Sequence, residues 1–398
     1  MNEKPLIAHV LYSLGTGGME RFVVTLINNT CDRYRHAIVC LTESGPTLRE
    51  LADPTVPCVA LHKRPGKDWG CYARFWRALR HLRPDLVHSY NIGALDLAPI
   101  AKLAGVRRVV HAERGRDAAD PHGENRRYRR LRRWMSPFIA RYLPVSRDLE
   151  FWLVNGVGID RAKVACIPNG IDVRQFASRS ATTDARPLMG GFAPPGTVLI
   201  INVGRLNAVK YQAGLIDAFD AVCKRDNQSA SHLRLAIVGE GNERASLERQ
   251  ILRLGLTSRV RLFGNRADVP ALLGEADIFV SSSIAEGMPG VVLEAMASSL
   301  PVAATRVGGV GELVIDGETG MLVAPSDRDA LASALRQYVD RQDLRLQHGR
   351  AGRARVERCY SMASMVSAYV TLYDGLLVGH ARPLRPNPAI GITESREH

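Results

Sequence analysis

Short apolar runs alternate with segments of helical periodicity along nearly the whole chain, and this alternation limits the possible folds more than any other feature. Runs at 6–14, 36–41, 56–61, 85–89 and 106–111 are compact and apolar, whereas 19–28, 75–82 and 97–103 repeat their apolar side chains at helical spacing. A strand covered on both faces is apolar throughout, and parallel neighbours need a crossover, usually a helix. The pattern therefore predicts a parallel sheet with right-handed crossovers.

The alternation lapses at 177–196, a stretch rich in Ala, Ser, Thr, Gly and Pro, and then restarts. Strands are expected at 198–203, 233–239, 260–263, 277–283, 302–305 and 321–323. Helices are expected at 215–224, 243–254, 268–275 and 291–298, with a long one from 327. The fold class is α/β: two doubly wound, parallel-sheet, Rossmann-like domains facing a cleft. The expected domains are 1–180, completed by a C-terminal helix near 361–378, and 181–360. Residues 380–398, with three prolines, are expected to be a disordered tail. Ligands of such sheets sit beyond the carboxyl ends of the strands. That directs attention to the loops at 15–18, 88–93, 111–117, 204–210, 239–242 and 284–290.

Composition narrows the function. The 398 residues are 46% apolar and 23% charged, enough for two or three packed domains. Seven cysteines without a Cys-x-x-Cys signal neither a disulfide framework nor a Cys-rich zinc site. The first 18 residues carry no signal-peptide pattern, and no apolar run approaches the ~20 residues of a membrane span. The net charge of +13 is uneven: residues 1–180 hold 29 basic and 17 acidic side chains, a net of +12. Such asymmetry points to an anionic partner on that half.

Three segments carry chemistry. Gly15-Thr16-Gly17-Gly18 opens a helix, where exposed N–H groups suit a phosphate; a tight turn without a ligand would read the same way. Arg205 and Lys210 follow a strand of the second half and could neutralise a diphosphate without a metal, although lone basic residues are usually solvated surface charges. The segment Glu286-Gly287-Met288-Pro289-Gly290 leads into a helix carrying Glu294. That helix is apolar nearly all round, and a carboxylate on a buried helix needs a partner.

These segments resemble, in this order, the family 4 retaining glycosyltransferases of the GT-B fold. The Glu286…Glu294 pair, Gly204-Arg205-Leu206…Lys210, Pro168-Asn169-Gly170-Ile171-Asp172, Val307-Gly308-Gly309…Glu312 and Asp316-Gly317…Gly320 all take part. The segments 111–117 and 208–212 further resemble a bacterial subgroup associated with exopolysaccharide production. The resemblance implies that Arg205 and Lys210 bind the donor diphosphate and Glu294 the ribose hydroxyls. Glu286 would contact the donor sugar, with N–H groups of Gly287, Met288 and Gly290 nearby and Pro289 between them. Gly17 and Gly18 would let the first domain close on the diphosphate, and His111 would stand at the reacting face. The catalytic set is thus His111, Glu286, Arg205 and Lys210. The substrate would be a UDP- or GDP-linked sugar, the mechanism retaining, and no metal or other cofactor is expected. Many relatives carry Gly after the lysine, whereas here Tyr211 and Gln212 follow.

The segment 124–142 crowds Arg126, Arg127, Arg129, Arg130, Arg132 and Arg133 together with Tyr128, Leu131 and Trp134. It could be a solvated face, a nucleic-acid surface or an anionic-lipid docking surface. Beside the glycosyltransferase resemblance, lipid docking fits best: a cytoplasmic enzyme, peripheral on the inner face of the membrane, next to a saccharide or lipid-linked saccharide acceptor, with no nucleic acid expected. The rival functions are a nucleic-acid-binding protein on a degenerate enzyme fold and another sugar-phosphate enzyme, such as a phosphorylase or epimerase.

Overall fold

The computed structural model describes residues 4–15, 17–117, 119–176, 186–225 and 232–377. The expected tail at 380–398 and residues 177–185 of the expected linker lie outside them.

The first half builds a six-stranded parallel sheet. Its elements run β1 (Leu6–Leu11), α1 (Gly18–Asn28), β2 (Arg35–Cys40), β3 (Cys58–Ala60), α2 (Trp69–Leu82), β4 (Leu86–Tyr90), α3 (Ala98–Leu103), β5 (Arg108–Glu113), α4 (Arg126–Met135), β6 (Arg141–Pro144) and α5 (Arg147–Phe151). The strand order is β3-β2-β1-β4-β5-β6. All six residues of β1 are buried, as expected of a strand covered on both faces. The helix expected at 75–82 begins earlier, because the Asp68 carboxylate accepts Cys71 N at 3.2 Å and caps α2. It ends with Arg83 in the left-handed region, ahead of Pro84. Beside β6, Val164 forms a single parallel bridge to Tyr142.

The second half repeats the plan with β7 (Val198–Val203), α6 (Gln212–Arg225), β8 (Leu233–Val238), α7 (Arg244–Arg253), β9 (Val260–Leu262), α8 (Val269–Glu275), β10 (Ile278–Ser281), α9 (Gly290–Ala297), β11 (Val302–Thr305), α10 (Val310–Leu313) and β12 (Gly320–Val323). Its order, β12-β11-β10-β7-β8-β9, is the same winding read from the other edge. The long helix expected from 327 is two helices, α11 (Arg328–Asp340) and α12 (Gln342–Cys359), meeting at Arg341, whose backbone is extended. The chain ends its described course in α13 (Met362–Leu377). This helix returns to the first domain, where Met365, Tyr369, Leu372 and Tyr373 bury against Ile7, Phe22 and Tyr34.

Each sheet reverses its winding once, between β1 and β4 and between β7 and β10. The crevice at such a switch point is where doubly wound sheets bind ligands. The loops after β1, β7 and β10 stand there, and they carry the motifs singled out in the sequence.

Candidate active site

The loops after β7 and β10 are pinned to each other. Ile284 N donates to Val209 O at 2.8 Å, and Ser282 Oγ donates to Lys210 O and Tyr211 O at 2.9 and 3.0 Å. Asn207 Oδ1 accepts Lys210 N at 3.0 Å, and the buried Gln212 donates Nε2 to Arg205 O at 3.1 Å. These bonds fix the backbone that presents the two cations. Lys210 Nζ lies 2.5 Å from Glu286 Oε1, which also accepts Ser283 Oγ at 2.6 Å. Tyr211 occupies the left-handed region at φ 49°, a conformation glycine adopts without a Cβ penalty. The Tyr-for-Gly departure therefore keeps the loop path at some backbone cost, and Lys210 stays in place.

Arg205 is exposed and reaches the first domain. A Cβ added at Gly17 would meet the Glu20 carboxylate and lie 3.1 Å from Arg205 Nη2. A side chain at Gly17 would have to displace the ends of Glu20 and Arg205. Gly18 faces open space.

Helix α9 starts at Gly290 with Pro289 as its N-cap residue and no side-chain cap. Its first N–H groups thus have no side-chain acceptor and, with the helix dipole, suit an anion. Glu294, one turn along, is half-buried, and its carboxylate makes no hydrogen bond or ion pair among the described residues. Burial pushes its carboxyl up from the ordinary range, with the Arg21 charge on α1 opposing. Gly287 packs directly on the first domain, where a Cβ would overlap the Arg114 carbonyl. Met288 is buried against Asn169.

The structure gathers Gly17, Arg205, Lys210, Glu286, Gly287, Met288, Pro289, Gly290 and Glu294 around one end of the cleft. His111 does not join them. Its side chain is fully buried on β5, Nδ1 2.9 Å from Ser89 Oγ and Nε2 3.3 Å from Glu113 Oε1. Residues 111 and 113 share a sheet face by the two-residue strand period, and that face lies beneath α4. The expectation of a histidine at the reacting face is corrected accordingly.

The arginine helix is corrected too. Arg132 is 2% exposed and binds Glu113 through two bonds, Nε to Oε1 at 2.6 Å and Nη2 to Oε2 at 3.0 Å, with its guanidinium over the Trp152 ring. Burial works against the Glu113 charge, yet Arg132 and His111 hold its carboxyl down at about 2. Arg132 is unavailable to a membrane. Arg133 donates to Val157 O at 2.7 and 3.1 Å, and Arg129 to Gly123 O at 2.5 Å. Arg126, Arg127 and Arg130 are exposed, as is Trp134 at 63%.

Sequence reasoning assigned no role to Ser283, Asn207 and Gln212, which hold the cationic loops, to Asn169, which holds Met288, or to Arg114, which holds Asn169. The serine run at 281–283, at a strand end, was a usable signal for the first. Nothing local marks Arg114.

Residues 16–175 match Glycosyltransferase Family 4, and residues 191–355 match Glycosyl transferases group 1. The chain is 26% identical over 390 residues to the Escherichia coli UDP-Gal:alpha-D-GlcNAc-diphosphoundecaprenol alpha-1,3-galactosyltransferase, covering 95% of this chain and 98% of that one. It is 33% identical over 138 residues to the Rhizobium meliloti lipopolysaccharide core biosynthesis glycosyltransferase LpsE, covering 35% and 41%. The fold matches Anabaena Alr3699/HepE in complex with UDP-glucose at a TM-score of 0.80, with 21% identity over 93% of this chain and 99% of that one. It matches WaaG, a glycosyltransferase involved in lipopolysaccharide biosynthesis, at 0.74, with 18% identity over 93% and 100%. Neither the nucleic-acid-binding nor the phosphorylase-type alternative is favoured by these matches. With its two domains matched in series and its sheets wound alike, the chain belongs to the GT-B glycosyltransferases, a family 4 domain followed by a group 1 domain.

Proposed function

We propose that this protein is a retaining, metal-independent glycosyltransferase that moves a sugar from a UDP- or GDP-linked donor to a saccharide or lipid-linked saccharide acceptor in bacterial surface or exopolysaccharide synthesis. The observation that carries the reading is the grouping of Arg205, Lys210, Glu286 and the unpaired Glu294 around the uncapped start of α9. Arg205, Lys210 and the α9 amides would hold the donor diphosphate, and Glu294 the ribose hydroxyls. Glu286 would accept from a sugar hydroxyl. The sugar–phosphate bond breaks as the acceptor oxygen attacks the same face, and the acceptor proton passes to the departing phosphate oxygen. Charge on that phosphate is met by groups already in place, so little reorganisation is needed. No cofactor takes part in this scheme. Two similar proteins support it: the relative that acts on a diphosphoundecaprenol-linked sugar and the structure holding UDP-glucose.

The protein would work at the cytoplasmic face of the membrane. Among the described residues no helix is long and apolar enough to cross a bilayer. Arg126, Arg127 and Arg130 would supply roughly 1 kcal/mol each on an anionic surface, with Trp134 at the interface. The deciding assay is nucleotide release from a panel of UDP- and GDP-sugars with and without a lipid-linked saccharide. Acceptor-stimulated release from one donor is expected, and no release from any of them would sink the reading.

A further inference from the structure

Asn169 belongs to a motif for which the donor site has no use. It stands where the chain leaves the first domain, two residues before Ile171, whose N–H donates to Tyr360 O at 2.9 Å while Met362 N donates to Ile171 O at 3.0 Å. The segment around 171 is thus bonded to the segment by which α12 of the second domain hands over to α13 of the first. Both junctions of the two domains are tied at this point.

The Asn169 side chain faces two ways. Its Oδ1 accepts from Arg114 Nη2 of the first domain. Its Nδ2 donates to Met288 O of the second domain at 2.8 Å, and its backbone N–H points at Met288 Sδ, 3.3 Å away. Arg114 is itself held: its amide donates to Asn91 Oδ1 at 2.8 Å, and its guanidinium lies 3.5 Å over the Phe22 ring of α1. The Met288 carbonyl is one residue before Pro289, the N-cap residue of α9, and two after Glu286. Fixing that carbonyl fixes the entry into α9 and the base of the Glu286 loop. The group that fixes it sits at the domain junction.

We propose that Asn169 is a positioning residue that couples the relative placement of the two domains to the geometry of the 286–290 loop. An amide suits the task because one end must accept and the other donate. A carboxylate of the same shape would keep the Arg114 arm, set its second oxygen against the Met288 carbonyl and lose the donor. The proposal rests on the donor-site reading only for the purpose of the loop; the coupling itself is a statement about structure.

The test compares wild type with Asn169→Asp and Asn169→Ala by hydrogen–deuterium exchange of the full chain, alongside thermal melting and calorimetry with UDP and with GDP. Loss of the bond to Met288 O should speed exchange of the amides at 290–294 by roughly fivefold or more in both variants. Exchange in β1 and β7 should not change. The nucleotide that wild type binds should bind the variants more weakly. Exchange at 290–294 within twofold of wild type in Asn169→Asp would overturn the proposal, and so would a uniform rise across both domains, the mark of a merely structural residue. A wild-type chain that binds neither nucleotide would fail the donor reading, while the exchange comparison still decides the coupling.

Discussion

Lys210 Nζ and Glu286 Oε1 stand 2.5 Å apart on loops that follow different strands, and Ser283 shares the same carboxylate oxygen. The two side chains are 25% and 10% exposed, so the pair is partly shielded from water. It gives the lysine a counter-charge and holds both groups at the mouth of α9. A diphosphate entering there would take over the lysine and free Glu286 for a sugar hydroxyl. Lys210→Ala should lower turnover by about 10²–10³-fold, the range seen when one preorganised charge-stabilising group is removed. Steady-state nucleotide release checks this, and near wild-type turnover would remove Lys210 from the machinery.

Glu294 has a raised carboxyl pKa because burial disfavours its charge. The folded state therefore holds its proton more tightly than the unfolded chain does. That contribution is fully present below the unfolded value, roughly 4.3, and is lost as pH rises through the folded one. At neutral pH the ionised group is a cost to the fold. Glu294→Gln should therefore raise the melting temperature at pH 7–8, with the gain fading toward acid pH, while weakening binding of the donor nucleotide. Melting curves against pH, with calorimetry, read both effects. A variant less stable than wild type at pH 8 would contradict the sign.

Three histidines of the first domain form a buried chain with tyrosines. Thr30 Oγ1 lies 3.0 Å from His36 Nε2, His36 Nδ1 lies 3.1 Å from His9 Nε2, and His9 Nδ1 lies 2.8 Å from Tyr90 OH. Tyr90 OH in turn is 2.9 Å from His88 Nδ1, which Tyr373 of α13 also reaches at 2.7 Å. Burial lowers His36 to about 4 and holds His9 and His88 well below the usual imidazole range. The stability that these neutral rings provide is present above the unfolded value of roughly 6.5 and is lost as pH falls through the folded values. The melting temperature should drop steeply between those limits, with α13 released from the first domain. A flat profile from pH 7 to 4.5 would refute this.

The arginines of α4 should separate into two classes. Arg132→Ala leaves the Glu113 charge buried without its guanidinium and should cost about 3–5 kcal/mol in urea unfolding. The triple change Arg126→Glu, Arg127→Glu, Arg130→Glu alters exposed positions. It should move stability by no more than about 0.5 kcal/mol per site. It should nevertheless abolish flotation with anionic vesicles at low salt. Wild type that stays unbound under those conditions would end the docking reading.

Much of the fold can be read from short-range pattern. The apolar runs of β1, β7 and β10 and the helical spacing of α1 and α7 need no tertiary information, because both faces of a parallel strand are covered. The Gly-rich turn, Arg205, Lys210 and the Glu286–Glu294 segment were legible for the same reason: each sits just after a strand, where a doubly wound sheet places its ligands. The helices that shift, α2 and the pair α11–α12, do so where a capping carboxylate or a break in backbone conformation overrides the apolar pattern.

The sequence by itself determined two parallel α/β domains and the order of the motifs along them, because local spacing decides which face of an element is apolar and where a strand stops. Tertiary structure alone decided the partners. Arg132 looks like its five neighbours in sequence, yet helix rotation turns it onto Glu113 while Arg126, Arg127 and Arg130 stay outside. His111 sits at a promising strand end, yet the strand period directs it beneath α4. Asn169 meets Arg114 within the first domain, 55 residues away along the chain, and meets Met288 of the second, 119 residues away, only because the domains close on each other. Contacts at that separation follow from how the two domains pack, which no local periodicity encodes.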